Sequence, residues 1–152
     1  MFEFLILEGA QAGISWSTIL NKRNNYRNAY DNFESRKVKR YIDSKQQEFL
    51  RNEGIVRNRL KVAPSFTNAK ALLEVQKEFG IFDKYIWKFV GNITLQNNWK
   101  SLKEIRATIK ESETMNKDFK NLDFKFVGST IFLCLHAGNR YGQWPYNHMI
   151  EM

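Results

Sequence analysis

Along most of this chain apolar residues recur at spacings of three and four, and no stretch sustains an alternation of period two. That pattern restricts the fold to helices packed on helices, an all-α domain. The first clear amphipathic helix is expected from Trp16 to Tyr30, with Ile19, Leu20 and Tyr26 interleaved with Arg23 and Arg27. Residues 31–35 read as a turn, 37–42 as a short basic helix, and Asp43 and Ser44 as caps of a helix through Leu50 that ends at Glu53-Gly54. Residues 54–61 mix apolar anchors with Arg57, Arg59 and Lys61, cations that a solvated face would explain equally well, and lead into a helix reaching Phe79. Pro64 predicts a kink in that helix, or a restart near Ser65, because proline removes one hydrogen bond and crowds the preceding turn. Residues 82–90 form a short aromatic helix whose rings, Trp87 included, serve the core. A polar excursion over 91–109, with a short helix around Leu102 to Ile105, precedes a helix from Glu111 to Lys120 whose acidic first turn suits the helix dipole.

The length of 152 residues and mass of 18.0 kDa suit one domain, and 43% hydrophobic residues suffice for a core. No apolar run is long enough to span a bilayer, so the reading is of a cytoplasmic protein with no membrane partner. A single cysteine, Cys134, rules out an internal disulfide framework. A net charge of +8 favours a polyanionic partner, since lysines and arginines that neutralise phosphates release condensed counterions.

The stretch from Leu7 to Trp16, LEGAQAGISW, has the composition of a site. Phe2, Phe4, Leu5, Ile6 and Leu7 form an apolar face wide enough to bury a helix, and Glu8 would follow them into an enclosed place where a carboxylate needs a partner or a task. Ser15 is a good N-cap for the next helix, and Gly13 suits a turn that projects Ala12-Gly13-Ile14 with an aliphatic tip. On residue types alone, an ordinary interhelical turn with Trp16 in the core and Glu8 paired to a lysine remains open.

LEGAQAGISW, continued by STILNKRNNYRNAYDNF, resembles the substrate-site segment of the DNA-3-methyladenine glycosylase I family, and the resemblance runs with short interruptions to about Thr130. It implies that Glu8 hydrogen-bonds the excised base and acts as the catalytic carboxylate. Trp16 would line the base pocket, and Gly13 and Ile14 would push into the DNA stack as plug and wedge. A second motif, FKFVGST, resembles the helix-hairpin-helix of the same family. There Phe124, Lys125, Phe126, Val127, Gly128 and Ser129 would grip the DNA backbone through free N–H groups and the start of the following helix. A structural corner with Phe124, Phe126 and Val127 in the core is compatible with that grip.

The pattern breaks at both ends. Family members carry a further leading segment that supplies pocket aromatics and a cysteine and histidine for a structural zinc; this chain starts at Met1, close to the helix bearing Glu8. Its Cys and His residues are Cys134, His136 and His148, too few and too crowded for a tetrahedral structural site, so no metal or cofactor is expected. Residues 1–131 therefore read as a glycosylase-like helical domain incomplete at its N-terminus, and 132–152 as an atypical tail. With suitable codons for residues 131–146, deleting one T from a T-run restores Ile-Phe-Tyr-Ala-Phe-Met-Gln-Ala-Thr-Gly-Met-Val-Asn-Gly-His, the family pattern, which implies a single-base frameshift near Phe132.

The resemblance thus implies a monofunctional hydrolase that releases N3-methyladenine from double-stranded alkylated DNA, acting as a monomer and without a lysine nucleophile. The alternatives are an inactive remnant that at most binds DNA, and a helical protein-interaction domain. Base release separates the hydrolase from the remnant, and salt-dependent DNA binding separates the interaction domain from both.

Overall fold

A computed structural model describes residues 1–91 and 110–128, and among these every regular element is a helix. The expected helix around Leu102 to Ile105, Ser129 of the hairpin, and the tail from Phe132 lie outside the described residues. The core is arranged around α1 (Phe2–Gln11), in which Phe2, Leu5, Ile6, Leu7, Glu8, Gly9 and Ala10 are all buried. A helix apolar on nearly every side can only sit inside others. Its main partner is α6 (Arg59–Phe79), which presents Val62, Ser65, Asn68, Ala69, Leu72 and Val75 on one buried face.

The helix expected from Trp16 to Tyr30 divides into α2 (Trp16–Asn21) and α3 (Arg23–Ala29). The break falls at Lys22, whose Nζ donates to the Glu53 carbonyl at 2.7 Å, and whose N–H is shared between Thr18 and Ile19 carbonyls. A tertiary bond of this kind has no local sequence signal. Arg23 and Arg27 of α3 converge on Glu3 of α1, at 2.7 and 3.0 Å.

After α3 the chain reverses through Asp31–Phe33, where all three residues take left-handed backbone angles, φ 49°, 55° and 58°. Asp and Asn tolerate this, but Phe does not do so readily. Phe33 is held there by burial, edge-on to Phe2 at 6.5 Å and stacked on Tyr30 at 5.6 Å. Two shorter helices follow, α4 (Ser35–Val38) and α5 (Asp43–Arg51), both packed on α6. Asp43 lies in the first turn of α5, not at its cap, which is Ile42.

Pro64 neither kinks α6 into two nor restarts it; the helix is continuous from Arg59 to Phe79. The proline sits in the second turn, so it leaves one carbonyl without a helical donor, that of Leu60, and Leu60 is an exposed residue. Packing of the long buried face outweighs that single loss. The aromatic segment forms α7 (Phe82–Trp87) with a tighter turn over Lys88–Val90. It meets α8 (Lys110–Asn121), where Tyr85 donates its hydroxyl hydrogen to Asp118 at 2.6 Å. Glu111 and Glu113 lie in the first turn of α8, as the sequence indicates.

Candidate DNA and base site

Glu8 is buried, 5% exposed, in the last third of α1. Among the described residues no donor or cation is recorded against its carboxyl, and burial alone pushes its pKa up from 4.5 to about 8. The pairing of Glu8 with a surface lysine, left open by residue types, is thus not found among the described residues. A buried carboxylate without a counter-charge is costly, and here the cost is met by keeping the proton.

The turn after α1 is fixed by its own backbone and by α6. Ile14 N–H donates to the Gln11 carbonyl at 2.6 Å, and Gln11 Nε2 donates back to the Ile14 carbonyl at 2.9 Å. Gly13 has φ 75°, and a Cβ at that position would meet nothing within 4 Å, so glycine is there for backbone freedom and not for space. Ser15 caps α2 by accepting from Thr18 N–H at 3.3 Å. The expected aliphatic tip is corrected: the exposed apex is Ala12-Gly13, whereas Ile14 is half-buried and packs against the core. Trp16, at the start of α2, is likewise half-buried against the core.

Lys61 and Asn68 carry no mark of a site in the sequence. Lys61 Nζ donates to the carbonyls of Ala10 and Ala12, at 2.8 and 2.5 Å, and so caps the C-terminus of α1. One of the three cations that looked like a solvated face is a tertiary cap. Asn68 is 4% exposed and clamps the hairpin: its Oδ1 accepts from Lys125 N–H at 2.8 Å and its Nδ2 donates to the Lys125 carbonyl at 3.0 Å.

In the hairpin Phe124 and Val127 are buried, as a structural corner requires. Phe126, expected in the core, is 43% exposed. Its left-handed backbone, φ 54°, turns the chain back at that point, and its ring edge and carbonyl lie near Gly9 of α1, so that a Cβ there would be 3.7 Å from Cδ1. Two of the hairpin amides are engaged within the protein. Phe124 N–H donates to the Phe119 carbonyl at 3.0 Å and Lys125 N–H is taken by Asn68, leaving Phe126, Val127 and Gly128 with no recorded partner among the described residues. Lys125 Nζ pairs with Asp123 at 2.8 Å. The structure therefore brings Glu8, the Ala12-Gly13 turn and the Phe126 hairpin together around the C-terminal half of α1 and one face of α6.

The model of the methyladenine glycosylase family matches residues 1–137, which takes in both the Glu8 segment and the hairpin. The chain belongs to the methyladenine glycosylase family. It is 35% identical over 131 residues to DNA-3-methyladenine glycosylase 1 of Escherichia coli (strain K12), covering 86% of this chain and 70% of that one. Its fold superposes on a crystal structure of 3-methyladenine DNA glycosylase I with a TM-score of 0.82 at 35% identity, over 86% of this chain and 72% of the other. A single-residue variant of such a glycosylase, crystallised in complex with 3-methyladenine, matches with a TM-score of 0.81 at 29% identity, over 86% and 71% of the two chains. The helical fold inferred from periodicity is the fold of this family.

Among the described residues no group of three or more His, Cys, Asp or Glu could hold a metal, and no helix is long and apolar enough to cross a membrane. Cys134, His136 and His148 fall outside those residues, so the expectation about zinc rests on the sequence alone.

Proposed function

We propose that this chain is a monofunctional glycosylase that hydrolyses the N-glycosidic bond of N3-methyladenine in double-stranded alkylated DNA, acting as a cytoplasmic monomer without a metal or other cofactor. The observation that carries this reading is Glu8, buried inside the matched segment with no counter-charge recorded among the described residues.

Base excision requires the nucleotide to leave the stack, which costs a few kcal/mol and is cheapest for damaged bases. In this reading the amides of Phe126 to Gly128, which have no recorded partner among the described residues, hold the backbone with Ser129, and the Ala12-Gly13-Ile14 turn fills the gap left by the base. N3-methyladenine carries a positive charge on the base, so its glycosidic bond is already weakened and little acid catalysis is needed. Trp16 offers an aromatic face that attracts the cation. A cation arriving beside Glu8 reverses the effect of burial: it stabilises the carboxylate, the proton leaves, and a buried ion pair with hydrogen bonds to the base forms. An uncharged adenine gains nothing comparable, which is a source of selectivity.

Release of free N3-methyladenine from methylated duplex DNA by the purified chain, with Glu8→Gln alongside, tests the proposal. Release that falls in the variant supports it; a folded chain that binds duplex but releases no base is the inactive remnant instead.

A further inference from the structure

Lys61 and Asn68 lie seven residues apart on α6, two helical turns, and therefore on the same face with a rise of about 10 Å between them. Each holds the backbone of a different element. Lys61 binds the carbonyls of Ala10 and Ala12 at the exit of α1, and Asn68 binds both backbone groups of Lys125 in the hairpin. Neither element is rigid through local structure alone. The turn depends on a glycine at φ 75°, and the hairpin contains two non-glycine residues at positive φ, Asp123 at 67° and Phe126 at 54°. Backbone of this kind persists where surrounding contacts over-determine it. The Asn68 side chain supplies that constraint between the two strained residues and directs the Lys125 amide inward, so that the amides of Phe126 to Gly128 are the ones left without recorded partners among the described residues.

We propose that Lys61 and Asn68 are positioning residues, by which one face of α6 fixes the distance between the turn that enters the DNA stack and the hairpin that grips the backbone. This inference rests on the glycosylase reading above. Phosphate grip and base extraction act on one nucleotide, so a turn displaced by about 1 Å relative to the grip loses extraction without losing affinity for intact duplex. Lys61 thus serves extraction, and Asn68 serves the grip.

The test compares Lys61→Met and Asn68→Ser with the wild-type chain in two measurements, the Kd for undamaged duplex and the single-turnover rate of N3-methyladenine release from methylated duplex at saturating protein. Lys61→Met is expected to slow release by roughly tenfold to a hundredfold with duplex Kd within about twofold. Asn68→Ser is expected to weaken binding of undamaged duplex by roughly fivefold, the effect of one hydrogen-bonded constraint. If both variants lower both quantities in proportion, as a general loss of stability would, the proposal is overturned. Should Asn68→Ser fail to fold, amide exchange in the wild type decides. Lys125 N–H must be protected in the free protein, and the Phe126 to Gly128 amides must exchange freely and gain protection on adding undamaged duplex; a freely exchanging Lys125 amide overturns the proposal. A wild-type chain that releases no base would refute the glycosylase reading instead, while the duplex-binding arm would still test Asn68.

Discussion

Replacing Glu8 by glutamine should make stability less dependent on pH, because it removes a carboxyl that burial keeps protonated. The folded-state pKa is raised, from 4.5 to about 8, so the proton binds more tightly to the folded chain than to the unfolded one. The stabilising contribution is complete below pH 4.5 and is lost as pH rises through about 8. Over that window the loss amounts to about 5 kcal/mol, of which about 3 kcal/mol is already gone at pH 7. A single domain is stable by only about 5–15 kcal/mol, so the effect is a large part of the total. Glutamine has nearly the same shape and never ionises; its buried amide costs something, but equally at every pH. Urea unfolding of wild type and Glu8→Gln between pH 5 and 9 should show the stability difference moving in favour of the variant as pH rises. A difference that does not change with pH would mean that Glu8 is solvated or already paired. A difference moving the other way would mean a cation held against it, and either result would refute the argument.

The same group predicts a pH dependence of recognition: kcat/KM for duplex carrying the cationic base should rise as pH approaches about 8 and then level off, and Glu8→Gln should abolish the rise, as a pH–rate profile can show. Gly54→Ala should destabilise by about 1–3 kcal/mol in thermal unfolding, because a Cβ there would stand 2.9 Å from Asn25 Cβ. At Gly13 the space is open and only the backbone objects, so Gly13→Ala should cost about 1 kcal/mol in denaturant unfolding. Duplex binding should weaken by at least roughly tenfold between about 50 and 200 mM salt, measured by anisotropy; a flat response would argue against phosphate contacts.

Much of the fold was legible in the sequence because helices declare themselves locally. Apolar spacing marked α1, α6 and α8, Ser15 marked a cap, and the glutamates of α8 marked its first turn. Candidate residues were legible for a different reason: Glu8 directly follows the apolar run Phe4-Leu5-Ile6-Leu7, and only a helix buried on nearly all sides could carry it inside. What sequence order could not supply was every effect that depends on a partner distant along the chain. Lys22 ends α2 while its side chain reaches Glu53, and Pro64 is carried by the packing of a long buried face. Phe126 is turned outward by its own backbone angle.

Lys61 and Asn68 have the same origin. A lysine among cations and an asparagine in a helix carry no local mark of their roles, because those roles are bonds to backbone groups about 50 residues away or more. The sequence by itself determined an all-α chain, its basic charge and its membership of the methyladenine glycosylase family. The tertiary structure decided that Glu8 is buried without a recorded counter-charge among the described residues, and which hairpin amides have no recorded partner there. It also decided how the turn and hairpin are held, since desolvation and hydrogen-bond satisfaction depend on which surfaces meet, and those meetings are not written in residue order.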